Sequence, residues 1–150
     1  MNNLKYYLLF NPELKNLGQK QLLMQFKNDS TNKNIIKSLN DFHDKYPNFN
    51  KDIYIFFNKK KHNDLEKKEE VDLYLHWTHY GFLNNLISSR TDFYNFYPDF
   101  DWKFYSTYYN IEGNEIDLLL HYCEIGRYKN YIKSINDFKK KYSYISQSQN

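Results

Sequence analysis

The chain has no alanine, a single valine (Val71), one cysteine (Cys123) and only two arginines (Arg90 and Arg127) among its 150 residues. A lone cysteine excludes an intrachain disulfide framework and fits a reducing compartment. The shortage of arginine bears on nucleic acid. The net charge is +3, and it comes almost wholly from lysines interspersed with acids. A nucleic-acid footprint calls for a stripe of one sign with arginine forks for phosphate and base edges. Lys59-Lys60-Lys61 and Lys67-Lys68 instead alternate with Asp64, Glu66, Glu69 and Glu70, so nucleic acid is not the expected partner. Long apolar runs are also missing, which argues against membrane insertion. The apolar run from Tyr6 to Phe10 is cut off by Asn11-Pro12 and is too short for the core of a signal peptide. The expected location is therefore cytoplasmic, or virion-associated if the source is viral.

Aromatic residues are abundant: 16 Tyr, 12 Phe and 2 Trp. They supply enough apolar surface for a true core and exclude global disorder. The missing alanine and valine, set against abundant Asn, Lys, Ile, Tyr and Phe, match A/T-rich codon usage and speak to the genome of origin rather than to the task.

The chain also repeats itself. Residues 21–50, 72–101 and 117–146 align without a gap. Ser38-Leu39-Asn40-Asp41-Phe42 matches Ser89-Arg90-Thr91-Asp92-Phe93 and Ser134-Ile135-Asn136-Asp137-Phe138, with Tyr46, Tyr97 and Tyr142 four residues past each Phe. Leu75-His76-Trp77 matches Leu120-His121-Tyr122, with Gly81 and Gly126 five residues after the His. Self-similarity at such a period marks an array of supersecondary units.

Each unit reads as three short helices. The opening helix starts at Asn3, Asn50 or Asp101, residues that cap a helix by accepting an orphan backbone N–H. Apolar residues follow three, four and seven positions later (Tyr6, Tyr7, Phe10; Ile53, Tyr54, Phe57; Phe104, Tyr105, Tyr108), the spacing of one helical face. The middle helix is the most apolar, and Gly81 and Gly126 stand where a left-handed residue would end it. The closing helix begins with Ser-x-x-Asp (Ser38 and Asp41, Ser89 and Asp92, Ser134 and Asp137), a capping pattern. Pro47 and Pro98 stop it. The length variation falls between the opening and middle helices. There the Lys/Glu-rich stretch from Lys59 to Glu70 reads as a solvated insertion whose removal would leave the helices intact.

The expected fold is therefore all-α: three tandem three-helix repeats in a short compact array. The expected organisation is one domain over 1–145, with units 3–49, 50–100 and 101–145, and a flexible tail at 146–150.

Phe100-Asp101-Trp102-Lys103-Phe104-Tyr105, followed by Leu120-His121-Tyr122 and Gly126, resembles a repeat with the pattern F-D-x-x-[FY]-Y … L-x-H-Y-x-x-x-G-x-x-E-x-R. Tyr6-Tyr7 with Asn11-Pro12-Glu13-Leu14 is similar to another stretch of it, Y-Y-x-x-x-N-P-D-[LV]. Such repeats accompany glycosyltransferases and other surface-glycan proteins of bacteria and giant viruses. The resemblance implies a helical repeat tied to glycan metabolism and is compatible with a giant-virus source. Its motifs look like packing signatures. The acid that the pattern places after the glycine is absent here, and Arg127, which directly follows Gly126, is not the pattern's arginine.

Chemistry-bearing residues point the same way. His76 and His79 could share a helix face, but zinc takes three or four ligands, and His121, the repeat equivalent of His76, marks that place as structural. His121 and Cys123 lie two apart and point about 200° away from each other on a helix, so they cannot act as base and nucleophile within it. No catalytic residue, metal or cofactor is expected. Aromatics outside the repeat signature are the candidates for binding, because Tyr and Trp offer flat faces with polar edges: Trp102, Tyr128, Tyr94, Phe82 and Tyr80, with Phe96 and Tyr131 behind them. The expected function is a non-catalytic helical-repeat interaction module with a protein partner. The alternatives are a glycan ligand and a remnant or accessory domain of a glycosyltransferase that contacts sugar or nucleotide-sugar.

Overall fold

A computed structural model describes the backbone of residues 2–148 and the side chains of residues 4–143. The protein is all-α: the described residues form nine α-helices and no strand. They are α1 (Asn2–Phe10), α2 (Gln19–Asn28), α3 (Leu39–Lys45), α4 (Lys51–Asn58), α5 (Glu70–His76), α6 (Arg90–Phe96), α7 (Trp102–Tyr109), α8 (Glu115–His121) and α9 (Ile135–Ser148). The order is compatible with three tandem units, with α1, α4 and α7 as opening helices, α2, α5 and α8 as middle helices, and α3, α6 and α9 as closing helices.

The caps form largely as the sequence predicts. Asn50 accepts from the N–H groups of Asp52 and Ile53 at 3.0 and 3.1 Å. Asp101 accepts from those of Lys103 and Phe104, both at 3.1 Å. Ser38 and Ser134 accept from the N–H of Asp41 and Asp137 at 3.1 Å. Each Asp then takes the N–H of the residue before the Ser, Lys37 or Lys133, at 2.9 Å. Ser89 and Asp92 hold the same places at α6. The side chain of Asn3, and with it the expected cap there, lies outside the described residues. So do the side chains beyond residue 143; of the expected tail, 149–150 lie outside, while the backbone of 146–148 belongs to α9, which continues to Ser148.

The chain divides into two compact units, Met1–Ser89 and Arg90–Asn150. The first contains α1 to α5. Phe42 of α3 stacks on Tyr74 of α5 with ring centroids 4.4 Å apart, Phe49 meets Phe42 edge-on at 5.4 Å, and Tyr54 of α4 meets Trp77 edge-on at 5.5 Å. The second unit, α6 to α9, holds the matching set. Phe100 meets Phe93 of α6 at 5.2 Å, Tyr97 meets Tyr122 at 5.0 Å, and Tyr105 of α7 meets Tyr122 at 5.9 Å. In both, the packed cluster joins a closing helix to the opening and middle helices that follow it. The boundaries read from the sequence, 49/50 and 100/101, pass through the middle of these clusters, beside Phe49 and Phe100.

Two local expectations are corrected. Gly81 and Gly126 are not left-handed: each is the last residue of a single π-turn, Trp77–Gly81 or Tyr122–Gly126, that extends the middle helix. The left-handed residues lie further on, at Asn85 (φ 58°) and Asn130 (φ 57°). The Lys59-to-Glu70 stretch is not merely solvated. Its Leu65 is fully buried in the core of the first unit, together with Phe10, Ile36, Phe42, Tyr54, Leu73, Tyr74 and Trp77, at the start of a 3₁₀ turn, Leu65–Lys67. One leucine amid charged residues anchors the whole connection.

Candidate functional site

The repeat signature converges on one constellation. Tyr54 of α4 places its hydroxyl 2.5 Å from Nδ1 of His76, and Tyr105 of α7 places its own 2.6 Å from Nδ1 of His121. Burial pushes both tyrosine pKa values up and both histidine pKa values down. Both shifts favour a neutral imidazole, and with its proton on Nε2 the tyrosine O–H donates to Nδ1. Around His76, the neighbouring His62 and Lys68 work in the same direction and Asp64 against it. Around His121, Lys129 works with burial and Glu124 against it.

The glycines belong to this arrangement. A Cβ at Gly81 would overlap the Tyr54 hydroxyl and stand 2.8 Å from a Trp77 ring carbon; at Gly126 it would overlap the Tyr105 hydroxyl and stand 2.9 Å from a Tyr122 ring carbon. Glycine is required for close approach, not for its freedom of φ. The first copy solves the same problem differently. The buried Tyr7 donates to Asp29 at 2.6 Å, Gln25 donates to the same carboxylate at 3.2 Å, and Ser30 replaces the glycine.

A second recurring clamp was not visible in the sequence. The Asn11 side chain donates to the carbonyls of Tyr7 and Ile36, both at 2.8 Å. Asn58 donates to those of Tyr54 and Ile87 at 2.8 and 3.0 Å. The third copy has Tyr109 there, whose hydroxyl accepts the Ile132 N–H at 2.6 Å. Each clamp ties the end of an opening helix to the segment that leads into the closing helix of the same copy. The only sequence signal was an Asn four residues after the Tyr in two copies.

These side chains are thus committed to packing. Burial also pushes the Cys123 thiol up to about 12, which keeps it protonated and unreactive near neutral pH. His79 is exposed and contacts the Leu9 carbonyl, away from the Tyr54–His76 pair. Among the described residues no three His, Cys, Asp or Glu side chains gather as a metal-ligand set, and no helix is long and apolar enough to cross a membrane.

The five candidate binding residues fall in different units. In the first, Tyr80 and Phe82 are exposed on either side of Gly81, with Leu83 beyond them. Tyr80 leans on His62 and His76 at 5.2 and 5.3 Å, and Phe82 on Tyr46 and Trp77 at 5.5 and 5.9 Å. In the second unit, Tyr128 is 67% exposed. Trp102 is half-buried under Lys103. Tyr94 is half-buried and donates to Glu115 at 3.2 Å, beside the Arg90–Glu115 ion pair. Phe96 is exposed, and Tyr131 stacks on Tyr109 with centroids 4.0 Å apart.

One arrangement was missed. Arg127 holds its guanidinium 4.5 Å from the Tyr128 ring centroid and donates to the Tyr97 and Tyr128 hydroxyls at 3.2 and 2.5 Å. Phe82 occupies the equivalent position after Gly81. The exit turns of the two middle helices therefore share a backbone and differ in chemistry: Tyr80-Gly81-Phe82-Leu83 is apolar, and Ile125-Gly126-Arg127-Tyr128 is cationic and aromatic.

No family model matches the chain, and no curated protein or solved structure matches it.

Proposed function

We propose that the protein is a non-catalytic helical-repeat interaction module, cytoplasmic or virion-associated, which binds a protein partner through the exit turns of its middle helices. The observation that carries this reading is a division of labour. The residues that recur between copies (Tyr54 and Tyr105, His76 and His121, Gly81 and Gly126, the Ser-x-x-Asp caps) hold the fold, whereas the exposed positions just after the glycines change from copy to copy. Variable exposed residues on an invariant frame are how repeat arrays carry specificity. The aromatic and apolar side chains at these turns are of the kind that anchor protein interfaces. The resemblance to repeats that accompany glycosyltransferases suggests a setting in glycan metabolism.

The test is capture of a partner by the full chain, compared with Phe82→Ser/Leu83→Ser and Tyr128→Ser variants. Specific binding lost in one of these variants, with helical circular dichroism unchanged, supports the reading. Binding indifferent to both overturns it.

A second reading is favoured by one arrangement. Arg127, Tyr97 and Tyr128 present a cation, an aromatic face and hydroxyls together, which suits a sugar or a nucleotide-sugar phosphate. A glycan array that gives a hit abolished by Tyr128→Ser or Arg127→Ala would favour an accessory glycosyltransferase domain over the protein-binding module.

A further inference from the structure

Two internal contacts of this chain are each repeated once more as an unfilled half. The Phe that opens the closing-helix aromatic pair is Phe42 in α3, Phe93 in α6 and Phe138 in α9. Phe42 and Phe93 are both 0% exposed, because the opening and middle helices that follow cover them: Phe49 and Tyr74 meet Phe42, and Phe100 and Tyr122 meet Phe93. Phe138 is 39% exposed and its partner Tyr142 41% exposed. Among the described residues, the aromatic contacts of these two rings are with each other and with Tyr108.

The complementary half lies in the first unit. Leu23 of α2 aligns with Tyr74 of α5 and Leu119 of α8, which are 3% and 0% exposed. At Tyr74 the cover is Phe42 from the preceding closing helix. No closing helix precedes α2 within the described residues, and Leu23 is 48% and its neighbour Met24 59% exposed. Phe138 and Leu23 are exposed at positions that are buried in the other two copies, which marks both faces as interfaces rather than ordinary surface.

We propose that α9 of one molecule packs on α1–α2 of a second copy, so that Phe138 meets Leu23 as Phe42 meets Tyr74 within the chain. The occupant is a second copy because one chain carries both halves of a contact that it already makes internally. The two faces are different surfaces, so the association is heterologous and head-to-tail. It builds a closed ring or an open chain of copies. This inference goes beyond the proposed function, and it stands whether or not the exit turns bind a partner protein.

The experiment is sedimentation of the full chain over a concentration series, with Leu23→Asp and Phe138→Asp variants checked for folding by circular dichroism. Tyr142→Lys replaces Phe138→Asp if the latter unfolds. The wild type should show an average mass that rises with concentration above that of a monomer, and each variant alone should stay monomeric. A mixture of the two variants should form a 1:1 dimer and nothing larger, since each retains one intact face. A wild type that is monomeric throughout overturns the proposal. So does association that survives Leu23→Asp but not Phe138→Asp, which would mean that α9 pairs with itself.

Discussion

Replacing Gly126 with alanine isolates the least obvious feature of the fold. Helix propensity alone predicts stabilisation by about 1 kcal/mol, since Gly126 lies in a helical turn with ordinary φ. The structure predicts the reverse. The new Cβ would overlap the Tyr105 hydroxyl, and Tyr105 is fully buried, so its ring cannot swing out to solvent. The hydroxyl must leave His121, which breaks a bond of 2.6 Å and strands a donor. A stranded buried polar group costs about 1–3 kcal/mol, and the forced repacking costs about 1–3 kcal/mol more. After the propensity gain, the net loss is about 1–5 kcal/mol. Urea denaturation followed by circular dichroism measures it. The decisive variant is the double one. Tyr105→Phe removes the clashing oxygen, so Gly126→Ala/Tyr105→Phe should be more stable than Gly126→Ala alone, although Tyr105→Phe by itself destabilises. Stabilisation by Gly126→Ala, or simple additivity in the cycle, would refute the close-approach argument.

Leu65→Ala should destabilise the first unit by about 2–5 kcal/mol, the range for truncating a buried leucine; a denaturation midpoint like that of wild type would return the Lys/Glu-rich stretch to a solvated loop. Acid should weaken the fold through His76 and His121. Their folded-state pKa values lie below that of the unfolded imidazole, so their contribution is complete above about pH 6.5 and is lost as pH falls through the folded values. The urea midpoint should drop as pH falls below about 6.5, and His76→Gln/His121→Gln should flatten that slope. Cys123, with its thiol pushed up to about 12, should react with a maleimide far more slowly in the native protein than in urea; equal rates would contradict its burial.

Much of the architecture was legible because it is local. The three-four-seven spacing of Tyr6, Tyr7 and Phe10 and of its counterparts specifies a helical face, and Ser-x-x-Asp fixes where closing helices begin. What stayed hidden depends on distance. Tyr54 and His76 are 22 residues apart and Tyr105 and His121 only 16, because the intervening loop differs in length, so no fixed spacing advertised the pair. A recurring glycine after a helix reads equally as a left-handed end or as a place of close approach, and only the position of a tyrosine on another helix decides between them. Alignment finds the period of a repeat but not where a packed unit begins. That is why the aromatic clusters run from Phe42 to Trp77 and from Phe93 to Tyr122, across the boundaries drawn from the sequence. Leu65 is a single apolar residue in a charged run, with no periodicity to reveal it. Of the binding candidates, Tyr80, Phe82 and Tyr128 proved exposed. Tyr94 was already engaged by Glu115, a partner 21 residues away.

The most direct test of the account is nitrogen-resolved NMR of the histidine side chains across the neutral-to-acid range. In the paired Tyr–His frame, His76 and His121 should share one neutral tautomer, with the proton on Nε2 and an unprotonated, hydrogen-bonded Nδ1, and both should titrate below a free imidazole. Nδ1 protonated in either residue at neutral pH, or titration of either at the free-imidazole value, would contradict the paired Tyr–His frame on which the repeat is built.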